Sequence, residues 1–172
     1  MDRNLYERAN DVRWWALDER IRRQLLPASK GDEQARQELS AVIHAINTLY
    51  TVYTTILVFD QQGIIVAVSD NNAARLVGTQ VPESLPLAAC LTIDSDQGYV
   101  VSAFTKSELY ANGGTYVYCA PVVDFTNHAV IGGIATVFDA TPEFRQILAD
   151  NLPTTDVQLP LPFALLSMLK VD

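Results

Sequence analysis

Residues 115–140, TYVYCAPVVDFTNHAVIGGIATVFDA, determine the fold that the sequence predicts. Two runs rich in Tyr, Val, Ile and Thr flank a polar tip at residues 124–128 (DFTNH), which is the composition and loop length of a β-hairpin. Pro121 lacks a backbone N–H, so its strand must be bulged there or unpaired on one side. Gly132 and Gly133 indicate a bulge, or a place where a ligand or a second backbone comes close. We therefore predict two neighbouring strands near the centre of an antiparallel sheet.

The composition indicates one globular domain and argues against a polyanionic partner. The chain has 172 residues, of which 49% are hydrophobic, and this is enough for one well-filled core. Its formal net charge of -8 disfavours nucleic acid and acidic membrane surfaces as partners. The arginines of the first 23 residues alternate with acidic residues, which is typical of a solvated helix face.

The start of the sequence has no apolar stretch of the kind that a signal peptide needs, and no run approaches about 18 apolar residues. We therefore expect no membrane segment and a cytoplasmic location. The alternative is an extracytoplasmic sensor domain cut from a membrane receptor. Cys90 and Cys119 do not have metal-ligand spacing. Each is expected to be a small buried side chain, or to join a disulfide if the compartment is oxidising and the Cβ atoms approach to about 4 Å.

Helical periodicity dominates the first 50 residues. A charged sequence with one apolar stripe predicts a single helix over residues 3–26, which Pro27 ends. Asp32 is a candidate N-cap for a second helix that continues to about Leu49. Trp14 and Trp15 are adjacent in the first helix and cannot both face one core. Because aromatic residues are enriched in interface cores, we expect a homodimer through the N-terminal helices.

The pattern changes to strands after residue 52. Residues 54–59 and 64–69 flank Asp60-Gln61-Gln62-Gly63, which predicts a hairpin with a type I turn closed by a glycine with positive φ. Short helices are expected within residues 70–78 and 87–90, followed by a strand over residues 99–104. A turn is expected at residues 112–114. A closing helix is expected to begin with Thr141 as N-cap and to end at Pro153, before an apolar tail.

Four short motifs carry a resemblance to a known family. They are residues 58–69 (VFDQQGIIVAVS), Leu76-Val77-Gly78, residues 118–124 (YCAPVVD) and residues 130–134 (VIGGI). In this order and spacing they resemble the hairpin and the strand pair of Cache domains, which are sensor domains with a PAS-like fold. The resemblance covers roughly residues 39–152. The Arg-x-Trp-Tyr element of amino-acid-binding Cache domains is not found before the third strand, which argues against an amino acid as ligand.

The resemblance implies an α+β fold with a PAS-like five-stranded antiparallel sheet, a long N-terminal helical segment and a closing C-terminal helix. It implies N-terminal helices over residues 1–52 and a sensor domain over residues 53–152. Residues 153–172 form a tail that packs back or begins a further module. The opening segment, residues 4–15, is similar to the lead-in helix of Cache modules in bacterial chemotaxis-type signalling proteins.

Catalytic chemistry finds little support in the sequence. A Ser-His-Asp or Cys-His arrangement would have to use His44, which lies within a predicted helix, or His128, which lies at a hairpin tip. No G-x-S-x-G motif, phosphate-binding glycine loop or metal-ligand spacing occurs. We expect a protein that is not an enzyme and needs neither a metal nor a cofactor.

A ligand pocket between the sheet and its helical loops is the expected functional site. Buried tyrosines need hydrogen-bond partners, and arginine is suited to binding carboxylates, so a carboxylate-bearing ligand is one candidate. The tyrosines could equally cover the other face of the sheet against a helix, and Arg75 could lie at the surface. The candidate ligand-binding residues are Arg75, Tyr99, Ser102, Tyr116 and Tyr118.

These features predict a small-molecule sensor domain of a bacterial signal-transduction or chemotaxis protein. Binding would favour one arrangement of the sheet loops and thereby bias the helices. The alternative is a ligand-independent dimerisation or adaptor domain of a chemotaxis-type complex.

Overall fold

The structure is a computed structural model, which describes residues 3–111 and 113–139, with side chains from residue 6 onward. The predicted closing helix and the tail at residues 153–172 lie outside the described residues. In chain order the helices are α1 (Arg3–Ala16), α2 (Glu19–Ser29), α3 (Glu33–Leu49) and α4 (Leu87–Leu91). Two 3₁₀ helices (Asn71–Leu76 and Glu108–Tyr110) lie in the connections between strands. The short helices expected within residues 70–78 and 87–90 are thus confirmed.

The prediction of one helix over residues 3–26 was wrong, because the chain breaks at Asp18. Asp18 is the N-cap of α2 and accepts a hydrogen bond from the backbone N–H of Arg20 at 2.8 Å. Pro27 does not end this helix but lies inside it. A proline inside a helix removes one backbone hydrogen bond and crowds the preceding turn, and α2 ends two residues later, at Ser29. Asp32 caps α3 as predicted, with its carboxylate 3.0 Å from the N–H of Ala35.

A five-stranded antiparallel sheet forms the centre of the fold, in the order β2-β1-β7-β6-β3. This confirms the predicted sheet and places the hairpin formed by β6 and β7 at its centre. The two short strands β4 and β5 pair separately. The strands are β1 (Tyr53–Asp60), β2 (Ile65–Val68), β3 (Val100–Val101), β4 (Thr105–Lys106), β5 (Gly114–Thr115), β6 (Val117–Val123) and β7 (Val130–Phe138).

Turn chemistry at the first hairpin follows the sequence. The Asp60 carboxylate accepts hydrogen bonds from the N–H groups of Gln62 and Ile64, both at 2.9 Å, and Gly63 has φ +78°. Both observations agree with the predicted Asp-to-Gly turn. Pro121 pairs with Gly133 across β6 and β7, at a level where β3 has already ended. Its strand is therefore unpaired on one side, as expected.

Gly132 marks a close approach of a second backbone. Its φ is +153°, and a Cβ atom added there would lie 2.1 Å from the carbonyl oxygen of Phe59 on β1. The register between β6 and β7 also shifts next to this position. The bulge and the close backbone approach, which we considered as alternatives, thus occur together.

The third strand is shorter than predicted. It comprises Val100 and Val101, where residues 99–104 were expected. After Val101 the hydroxyl of Ser102, rather than a backbone carbonyl, accepts the N–H of Val117 at 2.9 Å. The backbone ladder therefore ends at this serine.

The two faces of the sheet are covered differently. On the helix face, α1, α2 and α3 pack against Ile56, Val58, Ala120 and Ile134. On the opposite face, which we call the cover face, the connections between β2 and β6 pack against the strands. The N-terminal helices and the sheet thus share one core.

Candidate ligand site

The cover face is where a ligand was expected, and the chain that covers it makes local backbone hydrogen bonds. We call residues 82–98, which contain α4, the cover segment. Its backbone hydrogen bonds are local: Leu85 donates to Pro82, Cys90 to Pro86 and Gly98 to Ser95. Within the described residues, none of its backbone donors reaches a strand of the five-stranded sheet. The segment is held on the sheet mainly by buried side chains, which is typical of parts that open locally.

Apolar side chains fill the space between the sheet and the cover segment. Phe59 is fully buried there, and its ring lies over Gly133. Leu85 and Cys90 approach from the cover segment, and Leu109 from the following connection. The sheet contributes Leu57, Phe59, Ile65, Val68, Val117, Cys119, Ala135 and Val137. The expectation of a hollow between sheet and loops was therefore wrong, because these side chains occupy it.

Three of the five predicted site residues lie on the helix face. Tyr118 is buried in the core formed by the helices and the sheet, and its ring makes an edge contact with Phe138 at 6.0 Å between centroids. Tyr99 and Tyr116 are partly buried against the same core. The guanidinium of Arg13 on α1 lies 6.0 Å from the centre of the Tyr99 ring. These tyrosines therefore occupy the packing role that we considered as the alternative.

The other two predicted site residues lie elsewhere. Arg75 is exposed on the 3₁₀ helix Asn71–Leu76, and its neighbours Leu76 and Val77 pack on the cover face. Ser102 is half-buried and its hydroxyl is engaged with Val117. The structure does not bring the five residues together, since the sheet separates Arg75 from Tyr118. Whether any of them contacts a ligand stays a prediction.

Two open grooves lie at the surface of the described part of the chain. The larger, of about 420 Å³, is bounded by α3, the end of β2 and the following turn. In it the Nδ1 atom of His44 lies 2.9 Å from the carbonyl oxygen of Ser69, so Nδ1 carries the hydrogen. The smaller, of about 230 Å³, lies between residues 93–96 and the hairpin tip near His128. Sequence reasoning did not single out these grooves, which form from segments distant along the chain.

The two cysteines both lie in the buried layer under the cover segment and are unbonded. Burial raises the pKa of the Cys90 thiol to about 12. Burial and, to a smaller extent, the neighbouring Cys90 raise the pKa of Cys119 well above its ordinary value. Both thiols are therefore neutral at physiological pH and unreactive while the cover is closed.

Neither histidine lies in a catalytic arrangement that the described contacts reveal. His44 contacts a backbone carbonyl, and His128 is exposed with φ +58° at the hairpin tip. Among the described residues, no three His, Cys, Asp or Glu side chains are grouped so that they could hold a metal ion. No helix in the described ranges has both the length and the apolarity to span a bilayer.

Comparison with known proteins gives structural relatives only. No protein-family model matches the chain, and no curated protein matches it in sequence. The sensor domain of the V. cholerae histidine kinase DctB matches with a TM-score of 0.67 and 16% identity, over 80% of this chain and 50% of that one. The E. coli DcuS sensor domain matches with a TM-score of 0.62 and 19% identity, over 84% of this chain and 95% of that one.

An extracellular ligand-binding receptor from Desulfohalobium retbaense also matches, with a TM-score of 0.51 and 16% identity. The match covers 78% of this chain and 24% of the receptor. This chain thus spans all but a small part of the DcuS domain and half of the DctB domain. None of these structures supports a cytoplasmic location. Together with the strand order and the helix-covered face, the comparisons show that the chain has the fold of the DctB and DcuS sensor domains, with the PAS-like antiparallel sheet that was predicted.

Proposed function

We propose that this domain is a non-enzymatic sensor domain of a bacterial signalling protein, which binds a small molecule beneath the cover segment. The observation that carries the proposal is the contrast between a sheet fixed by long helices on one face and a segment with only local backbone hydrogen bonds on the other. The fold shared with the DctB and DcuS sensor domains supports the same function.

The apolar layer makes ligand binding depend on opening. Leu85 is the buried leucine of the cover segment, and a side chain of this kind contributes about 1.5–3 kcal/mol when buried. If opening costs about 3 kcal/mol, the apparent affinity of a ligand is weakened roughly 100-fold relative to the open state. A ligand of intrinsic nanomolar affinity would then still bind at submicromolar concentration. Occupancy would shift the population towards the open cover.

Arg75 is the residue that we propose for binding a carboxylate. It is exposed in the last turn of the 3₁₀ helix, whose neighbouring side chains pack on the cover face. The tyrosines on the helix face would then act through packing against α1 rather than through contact with the ligand. An extracytoplasmic location is favoured over the cytoplasmic one, because a relative of the same fold is an extracellular ligand-binding receptor.

A thermal-shift screen of the purified chain tests this function. A panel of small mono-, di- and tricarboxylates is compared with the matching amides, since a ligand that binds only the native state raises the Tm. We expect a carboxylate to raise the Tm and its amide to have no effect. With Arg75→Gln, at least ten times more ligand should be needed to give the same rise in Tm. Arg20→Gln removes an exposed arginine of α2 and should leave the required ligand concentration unchanged.

Failure of every carboxylate to shift the Tm at millimolar concentration would overturn the carboxylate proposal. If a wider metabolite panel also fails, and backbone amides of residues 82–98 exchange no faster than those of α3, the ligand-sensing proposal itself is lost.

A second candidate function is dimerisation, as in an adaptor domain of a chemotaxis-type complex. Trp15 is buried and makes edge contacts with the rings of Tyr50 and Tyr53, whereas Trp14 is 72% exposed. Tyr6, two helical turns earlier on α1, is 54% exposed. Residues eight apart in a helix point about 80° apart around its axis, so these two exposed rings lie within one quarter of the surface of α1. We propose that a second copy covers it.

Light scattering tests the dimer. The parent chain should have the mass of a dimer, and Trp14→Ser should weaken the dimer at least tenfold, because an aromatic interface anchor is lost. Leu49→Ser removes an apolar side chain of similar exposure at the end of α3 and should leave the mass unchanged. A monomeric parent chain at high micromolar concentration would contradict this proposal.

A further inference from the structure

The cover segment contacts the sheet through a cysteine. Of the five residues of α4, all of them described, Cys90 alone is buried, and it is fully inaccessible to solvent. α4 contacts β6 and β7. Cys90 is therefore the fully buried contact of this short helix with the layer on the sheet, and Leu87 and Leu91 pack partly buried beside it.

The second cysteine lies on the facing strand. Cys119 is fully buried in the middle of β6, opposite Ala135 on β7, and belongs to the same apolar layer as Cys90. Residues 117 and 119 share the cover side of the strand, because alternate side chains point to the same face. α4 and β6 are in contact, and Cys90 and Cys119 belong to one buried apolar layer. The two cysteines of the chain thus lie on either side of the boundary between cover and sheet.

We propose that Cys90 and Cys119 form a disulfide in the oxidised domain, and that this bond locks the cover segment onto the sheet. The inference rests on the proposed extracytoplasmic function, since such compartments maintain disulfides. An oxidant in its disulfide form supplies the oxidising equivalents. One cysteine thiolate attacks one sulfur of the oxidant and releases the other as a thiolate, which gives a mixed disulfide. The second cysteine thiolate then attacks the sulfur of the first cysteine and displaces the oxidant sulfur bound to it. The cysteine pair loses two electrons and two protons, and the oxidant is reduced to its two thiols.

Burial determines when this reaction occurs. Both thiols are inaccessible and neutral in the closed domain, so exchange requires an open cover or a chain that has not yet folded. The bond would close a loop of about 30 residues, between the two positions in the sequence. Constraining the unfolded chain in this way is expected to raise the Tm on the order of 10 °C. Ligand entry beneath the cover would then require reduction of the bond.

The test starts from unfolded protein, in which both thiols are exposed to the oxidant. Absence of the disulfide then cannot be explained by slow reaction of buried thiols. The full chain is refolded from urea in a glutathione redox buffer, free thiols are alkylated, and intact mass and peptide maps are measured. We expect an intramolecular Cys90–Cys119 bond, with a mass two daltons lower, a native circular dichroism spectrum and a higher Tm that a reductant reverses. Cys90→Ala and Cys119→Ala should each remove the redox dependence of the Tm.

Natively folded protein that keeps two free thiols in the oxidising buffer would overturn the inference, as would glutathione adducts or intermolecular bonds in place of the internal one. The outcome is independent of the ligand screen. A ligand that binds the reduced domain, combined with no internal bond, removes this inference alone. An internal bond without any ligand for the reduced domain removes the sensor proposal alone.

Discussion

The two faces of the sheet differ in how the chain that covers them is held. On the helix face, three helices that together span residues 3–49 bury a continuous apolar stripe against the strands. On the cover face, the longest helix of the cover segment has five residues. Helices of that length are not stable by themselves, so the cover depends on its few buried side chains.

Polar contacts reinforce the difference between the faces. The Tyr53 hydroxyl on β1 donates to the Asp11 carboxylate on α1 at 2.5 Å, and the Arg8 guanidinium lies 5.3 Å from the centre of the same ring. Burial, followed by the hydrogen bond to Asp11, raises the pKa of Tyr53, so its hydroxyl remains a donor at physiological pH. The cover segment is tied to the next connection by a contact between the Ser84 and Ser107 hydroxyls at 3.0 Å. The helix face therefore combines partly buried charge-assisted contacts with apolar ones, whereas the charge-assisted contact of the cover segment, from Arg13 of α1 to the side-chain oxygen of Gln97 at 3.1 Å, is exposed.

Truncating one leucine on each face of the sheet gives the largest expected effect. Equal costs for the two truncations would contradict the difference between the faces. Leu39 of α3 is fully buried on the helix face, and Leu85 is almost as buried beneath the cover. Leu39→Ala should lower the free energy of unfolding by about 2–5 kcal/mol. The truncated side chain leaves a cavity between α3 and its neighbours, and long packed helices cannot move to close it. Leu85→Ala should cost less than about 2 kcal/mol, since the local segment can move to fill the space.

Urea denaturation measures both costs, and native-state hydrogen exchange locates them. Leu85→Ala should accelerate exchange at residues 87–93 and leave α3 unchanged, whereas Leu39→Ala should accelerate exchange in both. Equal costs and equal exchange profiles would mean that the cover is as firmly fixed as the helices.

Local chemistry made much of this architecture predictable. Asp60 and Gly63 specify their turn through a carboxylate acceptor and a positive φ, and both signals lie within four residues. Asp32 likewise identifies the start of α3. The break at Asp18 had a similar signal, an Asp followed by Glu19, but the apolar stripe continued across it. At Asp18 the capping signal and the apolar periodicity disagreed, and the chain follows the capping signal.

The ligand site was less predictable because it depends on which elements cover each face. Both faces of β6 are apolar, so alternation could not tell whether Tyr118 or Cys119 faced the helices. The packing of α1 against β6 decided it, and α1 is about 100 residues away in the sequence. The filling of the cover face depends on how the volumes of Phe59 and Leu85 fit together, which no sequence period encodes.

The N-cap of α2, on the helix face, is expected to make a smaller and pH-dependent contribution to stability. The side chain of Arg20, and then its backbone N–H, lower the pKa of Asp18 against the opposing effect of burial. A carboxylate whose folded-state pKa is lowered stabilises the protein above its ordinary pKa of 3.8, and this contribution is lost as the pH falls through the folded-state value. Asp18→Ala should therefore cost about 1 kcal/mol at pH 7 and progressively less below pH 4.

Two further variants test the origin of this effect. One separates the capping hydrogen bond from the charge of Asp18, and the other removes a cap on the cover face. Asp18→Asn keeps a side-chain oxygen that can cap α2, so most of the stability at pH 7 should remain while the acid dependence weakens. Asp70 caps the 3₁₀ helix on the cover side by accepting the N–H of Asn72 at 2.9 Å. Asp70→Ala should change global unfolding by only a few tenths of a kcal/mol, because that helix can fray while the sheet stays folded. If Asp18→Ala instead unfolds like the parent chain from pH 7 to pH 3 in urea titrations, then packing rather than the cap imposes the break between α1 and α2.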